Sequence, residues 1–167
     1  MTVVTPDQIL PLLYEELRAL AGKYARGSDQ VAPTSIVHEA FLKLRDGQVG
    51  ALELEHFRAL AATAMRQVLV DRARRRAAAR RGGDWERVTL TLSIEGSSEE
   101  HCDVMALDDA LRELEALDAR QARIVELRYF AGLTVPEVAR ELKVSTSTVE
   151  KEWRRARAWL GAKLRAT

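Results

Sequence analysis

The sequence predicts an all-α protein made of two small helical domains joined by an acidic linker. Three observations carry that prediction. Apolar residues recur at three- and four-residue spacing along most of the chain, the period of an amphipathic helix. Pro and Gly are sparse, 4 and 9 in 167 residues, so few points interrupt a helix. The formal net charge of +1 hides a division: +4 over residues 1–83, −5 over 84–106 and +2 over 107–167. Near-neutrality is an average over two basic blocks and an acidic segment between them.

In order along the chain, a first helix is expected from Pro6 to Ala25, with Ile9, Leu12, Leu13, Leu17, Leu20 and Tyr24 on its buried stripe. Residues 28–33 read as a turn. A second helix follows in PTSIVHEAFLKLRD (33–46), where Ile36, Val37, Ala40, Phe41 and Leu44 share a face. Residues 46–56 read as a loop with two glycines. The third and longest helix is expected over 57–81, closed by Gly82 and Gly83 as C-cap signals. From 84 to 106 the pattern turns to Thr, Ser, Gly and acids. RVTLTLSI (87–94) alternates like a strand, but a lone strand has no partner, so extended linker is expected. Helices resume at about Ala106–Leu117 and Ala119–Ala131, the latter stopped by Gly132.

The most specific signal is TVPEVARELKVSTSTVEKEWRRARAWL (134–160). Thr134 with Glu137 three residues on forms a capping box, and Pro136 is tolerated in a first turn. Val138 and Leu142 face inward, and Ala139 is small where two helices must approach. Lys143 to Ser145 makes a turn, with Ser145 the N-cap of the next helix. Lys143 stands where such turns often use Gly for a left-handed conformation. Val149, Trp153, Ala156 and Leu160 then form a core stripe. The other face holds Thr146, Ser147, Glu150, Lys151, Arg154, Arg155 and Arg157, with Thr148 beside them in the first turn. This is the division a helix-turn-helix needs, since residues at the start of its second helix meet base edges while hydroxyls and cations hold phosphates. The bland alternative is an amphipathic hairpin with a solvated basic face.

From Arg66 to Arg81 there are seven arginines (66, 72, 74, 75, 76, 80 and 81) against one acid, Asp71. A solvated helix usually mixes signs, because like charges at i and i+4 repel. If about four of them contacted phosphates, log affinity would fall with log salt at a slope of about −3.6.

The order of these features resembles the extracytoplasmic-function (ECF) group of bacterial sigma factors. The resemblance rests on a helix ending in an Asp-Arg-x-Arg-Arg run, an acidic linker, and a helical segment closing in STVEKEWRRARAWL; HEAFLKL and AMRQVLVDRARRR look like one subgroup. It spans about residues 6–163. It implies a protein that binds core RNA polymerase, places it on promoter DNA and helps open the duplex. Residues 1–83 would be the region 2-like domain that binds the polymerase clamp and the minus-10 element, 84–106 the linker, and 107–167 the region 4-like domain that reads the minus-35 element. By the same resemblance Arg66 and Gln67 meet minus-10 DNA, with Arg72, Arg74, Arg75 and Arg76 alongside; the 46–56 loop holds a flipped base; and Arg155 and Arg157 match cations of the recognition helix. Opening about ten base steps at about 1.4 kcal/mol each costs on the order of 14 kcal/mol. Arginines that hold single and double strands alike cannot supply that difference, so melting belongs to a larger machine.

Two departures stand out. Family members often carry acids at the start of the second helix, facing a basic surface of the clamp; here the stretch is Ala32, Pro33, Thr34 and Ser35, and only Glu39 remains. A phosphate on Thr34, Ser35 or the more distant Thr63 would restore the charge, each adding roughly −1.5 to −2 at pH 7. Thr34 and Ser35 suit helix capping equally well. A Ser/Thr kinase or an anti-sigma factor would then be a controlling partner. Glu150 stands where relatives often place a cation; it could accept from cytosine N4 or pair with Arg154.

Catalysis, metal and cofactor are not expected. His38, His56, His101 and Cys102 are too scattered for a tetrahedral site, and no phosphate-cradling Gly-rich loop is present. Trp153 and Trp159 fit core or interface packing better than base stacking. No apolar run approaches the roughly 18 residues of a membrane span, the start lacks a basic-then-apolar leader, and one cysteine forms no internal disulfide, so a cytoplasmic protein is expected. Two other functions remain open on the sequence: a stand-alone helix-turn-helix transcriptional regulator, and a helical adaptor whose basic helix binds acidic proteins.

Overall fold

The computed structural model describes residues 3–25, 32–47, 50–79, 89–92 and 100–166. Seven helices dominate: α1 (Pro6–Ala25), α2 (Pro33–Asp46), α3 (Leu54–Ala79), α4 (Val104–Leu117), α5 (Ala119–Val125), α6 (Val135–Leu142) and α7 (Thr146–Arg165). The all-α class is therefore correct. Short strands accompany them. β1 (Val3–Val4) pairs antiparallel with β2 (Leu52–Glu53), and β3 (Thr89–Leu92) with β4 (Glu100–Asp103).

The second pair corrects the reading of 87–94 as unpaired linker. Thr89 to Leu92 stand opposite Asp103 to Glu100 in register. EHCD carries no strand-like alternation, so the partner was invisible in sequence. Asp103 ends β4 and at once N-caps α4, its carboxylate accepting from Met105 N at 2.8 Å, which starts that helix at Val104. The 46–56 loop is likewise shorter than expected. It contains β2, and α3 begins at Leu54 with Glu55 in its first turn, where an acid is favoured. Of the expected turn at 28–33, Ala32 is the N-cap and Pro33 the first residue of α2, while 28–31 lie outside the described residues, as do Arg80, Arg81 and the glycine stop at 82–83.

Helix α1 buries Ile9, Leu13, Leu17 and Ala21. Leu12, assigned to that stripe, is 69% exposed; at 100° per residue it falls a quarter-turn to the side of Leu13. Helix α2 buries Ile36, Val37, Ala40 and Leu44, and Phe41 lines a groove with Phe57, Ala61 and Met65 of α3. Helix α3 is buried on two sides. Phe57, Ala61, Met65 and Val68 face α1 and α2, and about half a turn away Ala59, Ala62, Val70 and Ala73 are buried too. That second side carries Thr63, Arg66 and Arg74, whose polar atoms meet residues of α4 and α5 and the turn beyond.

The helix expected over 119–131 divides. After Val125 the chain widens into a π-helical turn, Glu126–Phe130, with Ala131 N donating to Glu126 O at 3.2 Å. Gly132 then adopts φ +66°, and a Cβ there would lie 3.1 Å from Leu20 Cδ2. Lys143, between α6 and α7, is left-handed at φ 55°. These two positions should respond oppositely. Gly132→Ala is expected to lower stability by about 1–2 kcal/mol through strain and contact with Leu20, whereas Lys143→Gly should raise it by about 0.5–1 kcal/mol. Urea unfolding monitored by circular dichroism checks both.

Candidate nucleic-acid interface

Helices α6 and α7 meet through a three-residue turn whose geometry follows from local chemistry. Thr134 Oγ1 accepts from Glu137 N at 3.4 Å, while Glu137 Oε2 accepts from Thr134 N at 2.7 Å and from its hydroxyl at 2.8 Å. Ser145 Oγ accepts from Thr148 N at 3.2 Å and caps α7. Val149, Ala156 and Leu160 are buried beneath α7, and Trp153 and Trp159 are partly buried against the core. Buried Glu152 is held by Arg120, whose Nε donates to Oε2 at 2.8 Å and whose Nη2 donates to Oε1. That fork, from α5, fixes the azimuth of α7.

The opposite side of α7 is open. Thr146, Ser147, Glu150, Lys151, Arg154 and Arg155 are exposed, and Thr148 is half-buried at the cap. Among the described residues Glu150 pairs with nothing, so its suggested bond to Arg154 is absent. Arg157 is half-buried and lies over the Trp153 ring at 5.8 Å, with Arg128 also over that ring at 5.5 Å. Arg157 is thus anchored to its own domain's aromatic core.

The basic side of α3 is engaged differently from expectation. Arg66 reaches Glu126 Oε1 at 3.3 Å and Asp108 Oδ1 at 3.6 Å, and its guanidinium lies 5.9 Å over Phe130. Arg74 reaches Asp108 Oδ2 at 3.4 Å. Arg72 donates to Ser35 Oγ and Glu39 Oε1 on α2. Gln67 and Arg75 are exposed and Arg76 half-buried, none with a salt bridge among the described residues. Further pairs join the start of α3 to α6: Arg58 with Glu137 at 3.4 Å, His56 Nδ1 with Glu141 at 2.7 Å, and Arg140 with Glu55.

The hydroxyls are placed as follows. Ala32, not Thr34 or Ser35, is the N-cap of α2, and no side chain caps it, so the capping alternative does not hold. Both residues lie in the first turn, half-buried. Thr63 Oγ1 donates to Ala59 O at 3.1 Å and accepts from Arg123 Nη1 at 3.2 Å. Among the described residues no group of three or more His, Cys, Asp or Glu could hold a metal, and no helix is long and apolar enough to cross a membrane. The side chains of His101 and Cys102 lie outside the described residues.

A family model described as ECF sigma factor matches residues 4–166. The chain belongs to the ECF sigma factor family. No curated protein matches it. One solved structure, the sigma factor RpoE in complex with the anti-sigma factor NepR from Bartonella quintana, is similar over 95% of this chain and 96% of that one, at 20% identity and a TM-score of 0.43. As a member of this family the protein is a sigma factor acting in transcription initiation, and RNA polymerase and promoter DNA are the partners that membership implies.

Sequence reasoning missed the acceptors of this sigma factor's α3 arginines. Asp108 carried a usable signal: it shares the i, i+3, i+4 stripe of Val104 and Leu111, where a carboxylate requires a buried partner.

Several carboxylates titrate below their usual range. A hydrogen bond from Lys43 lowers Asp71, one from the Gln121 backbone lowers Asp118, and for Glu137 burial is outweighed by hydrogen bonds from Thr134 and the charges of Arg58 and Arg140. A depressed folded value means stability that is present above the ordinary carboxylate range of about 4 and is lost as pH falls through the folded value. The melting temperature should therefore hold from pH 7 to about 5 and fall below about 4. Thr134→Ala should lower stability by about 1 kcal/mol at pH 7 and flatten that acid limb, read by thermal melts across pH.

Proposed function

We propose that this sigma factor uses residues 107–167 to read the minus-35 element and residues 1–83 to bind the polymerase clamp and the minus-10 element, with 84–106 as the connection. The observation that carries this reading is the two-sided chemistry of α7. An apolar stripe and the Arg120–Glu152 fork hold one side, and the other exposes Thr146, Ser147, Glu150, Lys151, Arg154 and Arg155, of which, among the described residues, only Ser147 has a local hydrogen bond, to Ser145 Oγ at 3.0 Å. Thr148, at the cap, and Arg157, stacked on Trp153, border that surface. Hydroxyls and cations along the first turns of an exposed helix suit base edges and phosphates in a major groove. Glu150 gives this face a chemistry of its own, since a carboxylate accepts from cytosine N4 and is repelled by phosphate.

The minus-10 surface comprises Arg66, Gln67, Arg72, Arg74, Arg75 and Arg76, and melting is done with the polymerase. Clamp binding involves Thr34, Ser35 and Glu39 at the start of α2. A phosphate on Thr34, Ser35 or Thr63 supplies the negative charge this stretch lacks, so a Ser/Thr kinase joins an anti-sigma factor as a candidate regulator. Ser35 supports this: its hydroxyl already touches the Arg72 guanidinium that Glu39 shares, so a phosphate there has a cation to meet.

Run-off transcription with purified core polymerase tests the reading. Core plus this chain should yield specific transcripts, and Arg154→Ala/Arg155→Ala should reduce them by a factor corresponding to about 1–3 kcal/mol per lost contact. A stand-alone regulator would leave core inactive, and an adaptor would show no response to the double substitution. For the modification, the phosphorylated form should bind core more tightly than the unmodified form. Equal affinities would remove that part of the proposal.

A further inference from the structure

Asp108 and Glu126 form a pair of buried carboxylates facing the basic side of α3. Asp108, on α4, is 4% exposed and collects three guanidiniums: Arg112 Nε at 3.0 Å, Arg74 Nη2 at 3.4 Å and Arg66 Nη2 at 3.6 Å. Glu126, on the π-helical turn, takes Arg66 at 3.3 Å and Arg123 at 2.6 Å. Arg66 is thus enclosed by two carboxylates from two elements, with the Phe130 ring beyond. Its Nε is buried and without a hydrogen-bond partner. Arg58 and Arg128 carry a buried, unpartnered Nε as well, so what sets Arg66 apart is its enclosure by two carboxylates: another anion reaches its guanidinium only when α4 moves away.

We propose that Asp108 and Glu126 are an internal stand-in for DNA phosphate: they latch the α4–α7 unit onto α3 and withhold Arg66 from promoter DNA until the latch opens. This rests on the proposed reading of α3 as the minus-10 surface. The physical basis is competition. A carboxylate and a phosphate oxygen recognise a guanidinium through the same N–H donors, so α4 and DNA cannot both hold Arg66. The competing carboxylates belong to the same chain as Arg66, so they act on it as an intramolecular ligand at high effective concentration. The small side chains Ala59, Ala62 and Ala73 on the same side of α3 bring the two helical layers close, which shields the Arg66 pairs from water while Arg74 and Arg112 stay partly exposed. In the closed state Arg74, Arg75 and the α7 face remain exposed and Arg76 is half-buried. A latched chain therefore still meets duplex DNA through α7 while lacking its full grip through α3.

Spin labels at Leu12→Cys on α1 and Leu117→Cys at the end of α4, both strongly exposed leucines, in a Cys102→Ser background report closure by double electron–electron resonance. At low salt the otherwise unsubstituted chain should give one short distance. Asp108→Asn/Glu126→Gln should add a longer population without any DNA present. The same variant should bind a fluorescein-labelled single-stranded oligonucleotide about 10-fold more tightly, because apparent affinity scales with the fraction of open protein. An unchanged distance distribution in a variant that is folded by circular dichroism overturns the latch, as does unchanged oligonucleotide affinity. Should the double variant not fold, the labelled parent chain decides: saturating oligonucleotide must lengthen the distance, and binding with the short distance intact overturns the proposal. Run-off transcription separates the two ideas. A chain that opens on Asp108→Asn/Glu126→Gln but activates core polymerase in neither its parent, phosphorylated nor opened form retains the latch and loses the assigned function; a transcribing chain that never opens does the reverse.

Discussion

The Arg66 guanidinium sits where three structural elements converge, and the arrangement of the chain depends on how its charge is met. Desolvating an arginine costs several kcal/mol unless anions and hydrogen bonds surround it. Asp108 from α4 and Glu126 from the π-helical turn provide those anions, and Phe130 lies beyond them. The dependence is mutual. Without Arg66 two carboxylates would face each other across an apolar layer with only Arg74, Arg112 and Arg123 at their edges. Such a cluster adds less to stability than its contacts suggest, but it is exacting about position. Shifting α4 along α3 separates partners that have no alternative nearby, so the ion pairs set the register while alanines and valines set the closeness.

That register explains the composition of α3. A helix with one buried side shows an apolar stripe and a polar remainder, as α2 does with Ile36, Val37, Ala40 and Leu44. Helix α3 instead buries Phe57, Ala61, Met65 and Val68 toward α1 and α2, and Ala59, Ala62, Val70 and Ala73 on the other side. Its length and basic end were evident from sequence. Its second partner was not, because alanine is compatible with solvent and with close packing alike. The arginines were read as a solvent- or DNA-facing row for the same reason: nothing within the segment says that Arg66 and Arg74 meet carboxylates some 34 to 60 residues further along.

Legibility elsewhere followed the range of the determining interaction. The α6–α7 unit was readable to the residue because caps are local: Thr134 with Glu137, Ser145 with Thr148. Even the strain at Lys143 was anticipated, since the turn geometry demands a left-handed residue whichever side chain occupies it. The β3–β4 pair was half readable. TLTL alternates, but EHCD has neither β-branched residues nor period two, and only the pairing reveals it as a strand. The π-helical turn was unreadable, because it is a response to tertiary demands. Widening the helix at 126–130 allows Glu126 and Phe130 both to be placed toward Arg66, while Arg128 Nη1 reaches back to Leu133 O at 2.8 Å.

The same geometry bears on how phosphorylation would act in the proposed scheme. Restoring charge at the clamp-facing start of α2 is the direct effect, and Thr34 is placed for that alone. Ser35 and Thr63 differ. Each hydroxyl already accepts a hydrogen bond from an arginine that is also held by a carboxylate: Arg72 with Glu39, and Arg123 with Glu126. A phosphate on either would compete with that carboxylate for the guanidinium, and a dianion outbids a monoanion for a bidentate donor. At Ser35 the exchange stays within the α2–α3 contact. At Thr63 it draws Arg123 from Glu126 and sets a second negative group beside the one that holds Arg66, in a half-buried place. The physical consequence there is separation of α4–α7 from α3. In the proposed scheme a modification at Thr63 would thus act on the contact that holds Arg66, whereas charge at the start of α2 comes from Thr34 or Ser35.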